Sequence, residues 1–103
     1  MLIEKKYNTN DIVTLSLMSG QEVLGKLVKE DDAYITLARP LTIAIGPQGA
    51  AFQNFTITGD SEGEVNIKAT KVVAVLKTNK ETTDAYRAAT SGLVVPEKSG
   101  LIT

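Results

Sequence analysis

LSLMSGQEVLGKLVKEDD, Leu15 to Asp32, holds two glycines five residues apart inside one apolar-alternating stretch. Leu15 and Leu17 alternate with polar neighbours, and so do Val23, Gly25 and Leu27, which is the period of a half-buried strand. "SGQ" at Ser19 to Gln21 is a turn, so the two runs read as a hairpin with Gly20 at its tip. Gly25 falls in mid-strand, where a glycine weakens the strand unless a bend or a close backbone approach requires it. The stretch therefore predicts a sharply bent second strand, closed by Asp31 and Asp32.

The strand pattern continues outward. "DIVTLSLM" leads in with Ile12 or Val13 on the apolar face, and "YITLARPLTIAI" follows with Ile35, Leu37, Leu41, Ile43 and Ile45. Pro40 cannot donate to a ladder, so it marks an edge or a bulge. "GPQGA" is a tight turn, and "AFQNFTIT" is a further strand with Phe55 and Ile57 alternating. After the polar turn "GDSEGE", "VNIK" leads through "AT" into "KVVAVLK". Strands about every ten residues with no helix between them predict an antiparallel all-β barrel or sandwich. Thr78 and Glu81 have capping-box spacing, and "KETTDAYRAATSG" fits a short helix closed by Gly92. The final "LVVPEKSGLIT" reads as a partly ordered extension beyond it. The domain reading is a barrel over 1–77, with an insertion at about 46–66, and a C-terminal helix and tail over 78–103.

Val72 to Leu76 are five successive apolar residues. A strand with one wet face should alternate. Two readings follow: a central strand covered on both faces, or an edge that pairs with a neighbouring subunit. The second is preferred, because an apolar edge left bare invites aggregation.

Composition narrows the function. The 103 residues are 43% hydrophobic and 22% charged, as in an ordinary globular chain, and the net charge is −1. There is no His, Cys or Trp, which removes the usual neutral-pH base, the thiol nucleophile and most zinc sites. No constellation supports an enzyme. "GDSEGE" lacks the ligand spacing of a calcium loop, and "GPQGA" lacks the Lys-Ser/Thr of a phosphate loop, so no metal or cofactor is expected. No apolar run approaches the roughly 18 residues of a membrane span, and the start has no secretory h-region, so a cytoplasmic protein with no membrane partner is expected.

The row Val13, Leu15, Leu17, Gly20, Val23, Gly25, Leu27, Asp31 resembles the first motif of the Sm-like family (Sm, LSm and Hfq proteins). "IKATKVVAVL" resembles the second, with Ile67, Lys68 and Ala69 in the places of its Ile-Arg-Gly. The resemblance covers Ile12 to Leu76. It implies a small, strongly bent five-stranded antiparallel barrel, here with a long hairpin-like insertion and a short C-terminal helix. It also implies a homo-oligomeric ring in which the last strand, with Val72, Val73, Val75 and Leu76, meets the next subunit.

Family members bind single-stranded RNA around the pore. The residues brought to that place here are Asp31, Tyr34, Ile35, Lys68 and Ala69. Three of them depart from the pattern: Ile35 stands in the Asn place, Lys68 in the Arg place and Ala69 in the Gly place. Lys keeps the charge and loses the planar fork, and Ala disfavours a positive φ. Tyr34 could stack on a base or pack at the barrel rim. Lys68 could meet phosphate or base, or be an exposed turn lysine. Asp31 could pair with Lys68 or simply close a solvated turn. The leading expectation is an RNA chaperone or adaptor. The alternative is a ring used as a structural or protein-interaction scaffold, its partner surface on the insertion or the C-terminal helix. A third reading is an unrelated monomeric barrel.

Overall fold

The alternating runs form strands, and the pairing between them decides the shape. In the computed structural model, which describes residues 7–60 and 62–91, the order is β1 (Ile12–Leu17), β2 (Glu22–Glu30), β3 (Tyr34–Gly46), β4 (Gly49–Asn54), β5 (Glu64–Lys68), a 3-10 turn (Ala69–Lys71), β6 (Val72–Lys77) and α1 (Lys80–Thr90). The strands make one antiparallel sheet in the order β4-β3-β2-β1-β6, with β5 also paired to β3. Among the described residues this is six strands rather than the expected five. The long β3 takes β5 along Tyr34–Ala38 and β4 along Leu41–Gly46. The β3–β4 hairpin turns at Pro47 and Gln48, within the stretch of about 46–66 expected as an insertion. No ladder among the described residues joins β6 to β4 or β5.

Gly25 has its reason in the register. Leu24 pairs with Leu41 and Lys26 with Ala38, so Gly25 alone faces both Arg39 and Pro40. This is a bulge in β3, and it bends the sheet. A Cβ on Gly25 would lie 2.9 Å from the Ala38 carbonyl oxygen and 3.2 Å from Leu37 Cβ. Arg39 takes φ +50 at the bulge, and Pro40 beside it has no N–H to leave unpaired. Gly20, with φ +93 and open space around it, is the hairpin turn.

The apolar run in β6 has a similar explanation. Leu17 pairs with Val72 and Ser16 with Ala74, so Val73 is an extra residue. That bulge lets Val72 and Val75, three positions apart, both pack on the core, while Val73 (67% exposed) and Leu76 (55%) face outward. Among the described residues β6 pairs only with β1. It is an edge strand in this chain, not a central one.

The sheet buries both faces. Val13, Leu15, Val23, Leu27, Ile35, Leu37 and Ile67 make one cluster. Ile12, Leu24, Leu41 and Phe52 make the other, covered by Tyr86 of α1. Ile12 and Val13 are therefore both core residues, on opposite sides. Phe52 and Tyr86 meet edge to face with ring centroids 6.4 Å apart. The Tyr86 hydroxyl donates to the carbonyls of Ala38 (3.0 Å) and Arg39 (2.7 Å), tying α1 to the β3 bulge.

The helix start differs from the capping-box reading. Asn79 is the N-cap, its Oδ1 accepting from Thr82 N at 2.8 Å. Thr78 is buried one residue earlier, its hydroxyl 2.7 Å from that of Thr14. Strand β6 carries Thr78 into the sheet, where its N–H donates to Ile12 O, so its side chain is not free to cap. Gly92, expected to close the helix, and the tail beyond it lie outside the described residues.

Candidate nucleic-acid interface

The β2–β3 turn is built by Asp31. Its Oδ1 accepts from the N–H groups of Ala33 and Tyr34, both at 2.8 Å, and its own N–H donates to Tyr34 O at 2.9 Å. These bonds stabilise the charged form. The Tyr34 N–H, then the Ala33 N–H, and more weakly the nearby Lys29 charge hold the carboxyl below its ordinary value. Among the described residues Asp31 makes no ion pair with Lys68; its carboxylate is spent on the turn.

The turn is held to the second motif by Ala69, whose N–H donates to Ala33 O at 2.9 Å. Ala69 opens the 3-10 turn and is not among the residues with positive φ, so an alanine in the glycine place is accommodated without strain. The next turn is tied in the same way, Met18 N–H donating to Lys71 O at 2.9 Å. Lys71 is exposed.

Tyr34 and Lys68 are register partners in the β3–β5 ladder, so their side chains leave the same face of the sheet. Tyr34 is 40% exposed and Lys68 is exposed. Ile35 alternates to the other face, paired with Ile67 and 4% exposed in the core. It supports the turn from beneath and presents nothing to a ligand. Behind Tyr34 and Lys68 the same row continues as buried Thr36 and exposed Asn66, with the Thr36 hydroxyl donating to Asn66 Oδ1 at 2.7 Å. The acidic Glu64 lies at the opposite end of β5, against Ala38. The arrangement offers a flat aromatic beside an exposed cation, with the Asp31 carboxylate on the Tyr34 N–H and Glu64 at the far end of β5. Among the described residues no three His, Cys, Asp or Glu are grouped to hold a metal.

Sequence reading named Asp31, Tyr34, Ile35, Lys68 and Ala69 as RNA-binding; the β2–β3 turn and the end of β5 bring Asp31, Tyr34, Lys68 and Ala69 together, while Ile35 is in the core. It missed a second basic cluster. Lys26, Arg39 and Arg87 line one cleft beneath α1, and no linear motif joins residues drawn from β2, β3 and a helix. The chain matches no model of a known protein family, and it matches no curated protein.

Proposed function

We propose that this chain is an Sm-like subunit that assembles into a homo-oligomeric ring and binds single-stranded RNA as a chaperone or adaptor. The observation that carries the reading is the register pairing of exposed Tyr34 with exposed Lys68 at the Asp31 turn. A base can stack on the ring while the ammonium meets the adjacent phosphate, and stacking is worth roughly 1–3 kcal/mol per base. Ring formation is supported by the β6 edge, with exposed Val73 and Leu76, and by outer edges of β4 and β5 that pair with no strand among the described residues. Repetition around a ring would turn Lys68 and Lys71 into a positive rim on a chain of near-neutral charge.

The test is native mass spectrometry with and without nuclease, followed by binding of U-rich and A-rich oligonucleotides at several salt concentrations. A multiple of the chain mass with salt-sensitive binding is expected, and Tyr34→Ala and Lys68→Ala should each weaken binding about tenfold or more. A monomer, or a ring indifferent to RNA, would remove this function.

A second reading keeps the ring and gives it a protein partner. It is favoured by Ile45 and Ile57, large apolar side chains exposed on the hairpin tip and on the loop after β4. Cross-linking that captures a protein through these residues, with no RNA retained, would support the scaffold instead.

A further inference from the structure

The cleft beneath the C-terminal half of α1 is basic: among the described residues its lining holds Lys26, Arg39 and Arg87, no acidic residue, and Thr90 and Ser91 from the helix end. Ile12, Lys26 and Ala38 lie side by side across β1, β2 and β3, because Ile12 pairs with Lys26 and Lys26 with Ala38. Tyr86 and Arg87 face this row from the helix, and Arg39 enters from the β3 bulge. Together they enclose about 370 Å³, within the size range of small-ligand sites. No carboxylate lines the cleft. Among the described residues the ion pairs are Lys77 with Asp11 and Lys80 with Asp84, and neither involves Lys26, Arg39 or Arg87.

Helix termination accounts for part of this. Arg39 Nη1 donates to Thr90 O, and Arg87 sits in the last turn, where cations suit the negative end of the helix dipole. It does not account for Lys26, which stands on the neighbouring strand β2, paired with Ala38, and lines the same cleft with no bond to the helix end among the described residues. The left-handed backbone of Arg39 at φ +50 belongs to the β3 bulge opposite Gly25, a conformation that non-glycine residues adopt chiefly where surrounding structure demands it. Arg39 is fixed from two sides, its N–H donating to Gly63 O at 3.0 Å and its guanidinium to Thr90. Only one of its five side-chain donors is spent on Thr90. Glu62 and Glu64 flank Gly63 in sequence, yet neither lines the cleft.

The geometry points to an anion site in this cleft for a small phosphate-bearing ligand, held by Lys26, Arg39 and Arg87. Arg39 is the preorganised fork, suited to bidentate contact with phosphate oxygens. Lys26 and Arg87 are exposed and close on the ligand from the sheet and the helix. Ile12, Ala38 and the edge of Tyr86 form an apolar wall that takes the carbon part of a phosphate ester. The site is separate from the Tyr34–Lys68 surface: Tyr34 and Arg39 stand five positions apart on β3, roughly 16 Å at strand rise.

The test is a backbone-amide NMR titration of the full chain with inorganic phosphate, pyrophosphate and a nucleoside monophosphate, at ionic strength held constant with chloride. Saturable shifts grouped at Lys26, Arg39, Tyr86 and Arg87 are expected. Lys26→Ala and Arg87→Ala should each weaken them about tenfold while keeping the native spectrum, and Lys68→Ala should leave them unchanged. Tighter binding of the monophosphate than of inorganic phosphate identifies an ester as the ligand; equal binding identifies free phosphate. Non-saturating shifts spread over all lysines, or unchanged affinity in Arg87→Ala, would overturn the site. So would an oligonucleotide that occupies the cleft more tightly than any of the three small anions.

Discussion

Gly25 faces two residues of β3 where a regular ladder would give it one. A side chain there has backbone in its way, since the Ala38 oxygen would sit 2.9 Å from the new Cβ. Gly25→Ala should therefore cost about 1–3 kcal/mol, as overpacking does, and Gly25→Val more. Gly20→Asn, with open space and a φ that Asn tolerates better than other residues, should cost less than about 1 kcal/mol. Urea denaturation of the variants measures both, and equal losses would contradict the bulge as the reason for Gly25. Tyr86 is the second residue whose surroundings decide its chemistry. It is 2% exposed, and burial pushes its phenol up to about 12 from 10.0. The folded value is the higher one, so this stabilising contribution is complete below pH 10 and is lost as pH rises through about 12. Alkaline unfolding should set in across that window and shift in Tyr86→Phe. That variant should also lose about 1–3 kcal/mol at neutral pH, because two carbonyls at the β3 bulge lose their donor.

At the scale of elements, β6 and α1 show how far local pattern reaches. The run Val72–Leu76 reads as a strand with apolar residues to spare, and it is one. Its inward pair, Val72 and Val75, could not be read off, because a bulge of one residue resets the alternation and depends on pairing with β1. Replacing Val73 and Leu76 together by Lys should leave the core intact, since both side chains face outward. It should give a monomer in native mass spectrometry if β6 is the subunit edge; an unchanged oligomer would exclude β6 from the interface. For α1, the composition and the polar start were legible within a residue. The choice of Asn79 over Thr78 as cap was not, because both are good caps by type. Thr78 is engaged instead by Thr14, distant in sequence.

For the whole molecule, the functional groups sort to separate places along β3. Tyr34 and Lys68 share one end with the Asp31 turn, and Arg39 marks the bend where β5 gives way to β4. If RNA is held by many subunits at once, its affinity comes from repetition as well as from any one contact. The Val73→Lys, Leu76→Lys chain should then bind oligonucleotide far more weakly than the parent, although Tyr34 and Lys68 are untouched. Full affinity in a confirmed monomer would show that one subunit suffices.

By itself the sequence determined the runs of β1, β2, β3, β5 and β6, the turns at Gly20 and Pro47, the bend at Gly25 and Pro40, and a helix after β6. Each of these follows from side-chain period or from the backbone freedom of a single residue, which act over a few positions. The strand read over "AFQNFTIT" ends instead at Asn54, leaving Phe55 and Ile57 outside it. Only the tertiary structure decided that Gly25 opposes Arg39 and Pro40, that α1 covers the second face of the sheet, and that Ile35 is core while Tyr34 is surface. It likewise decided that Lys26, Arg39 and Arg87 meet in one cleft. Those outcomes depend on register, and a shift of one residue sends every side chain of a strand to the other face. Register is settled by the burial of two apolar clusters at once, a sum over contacts distant in sequence that no local pattern contains.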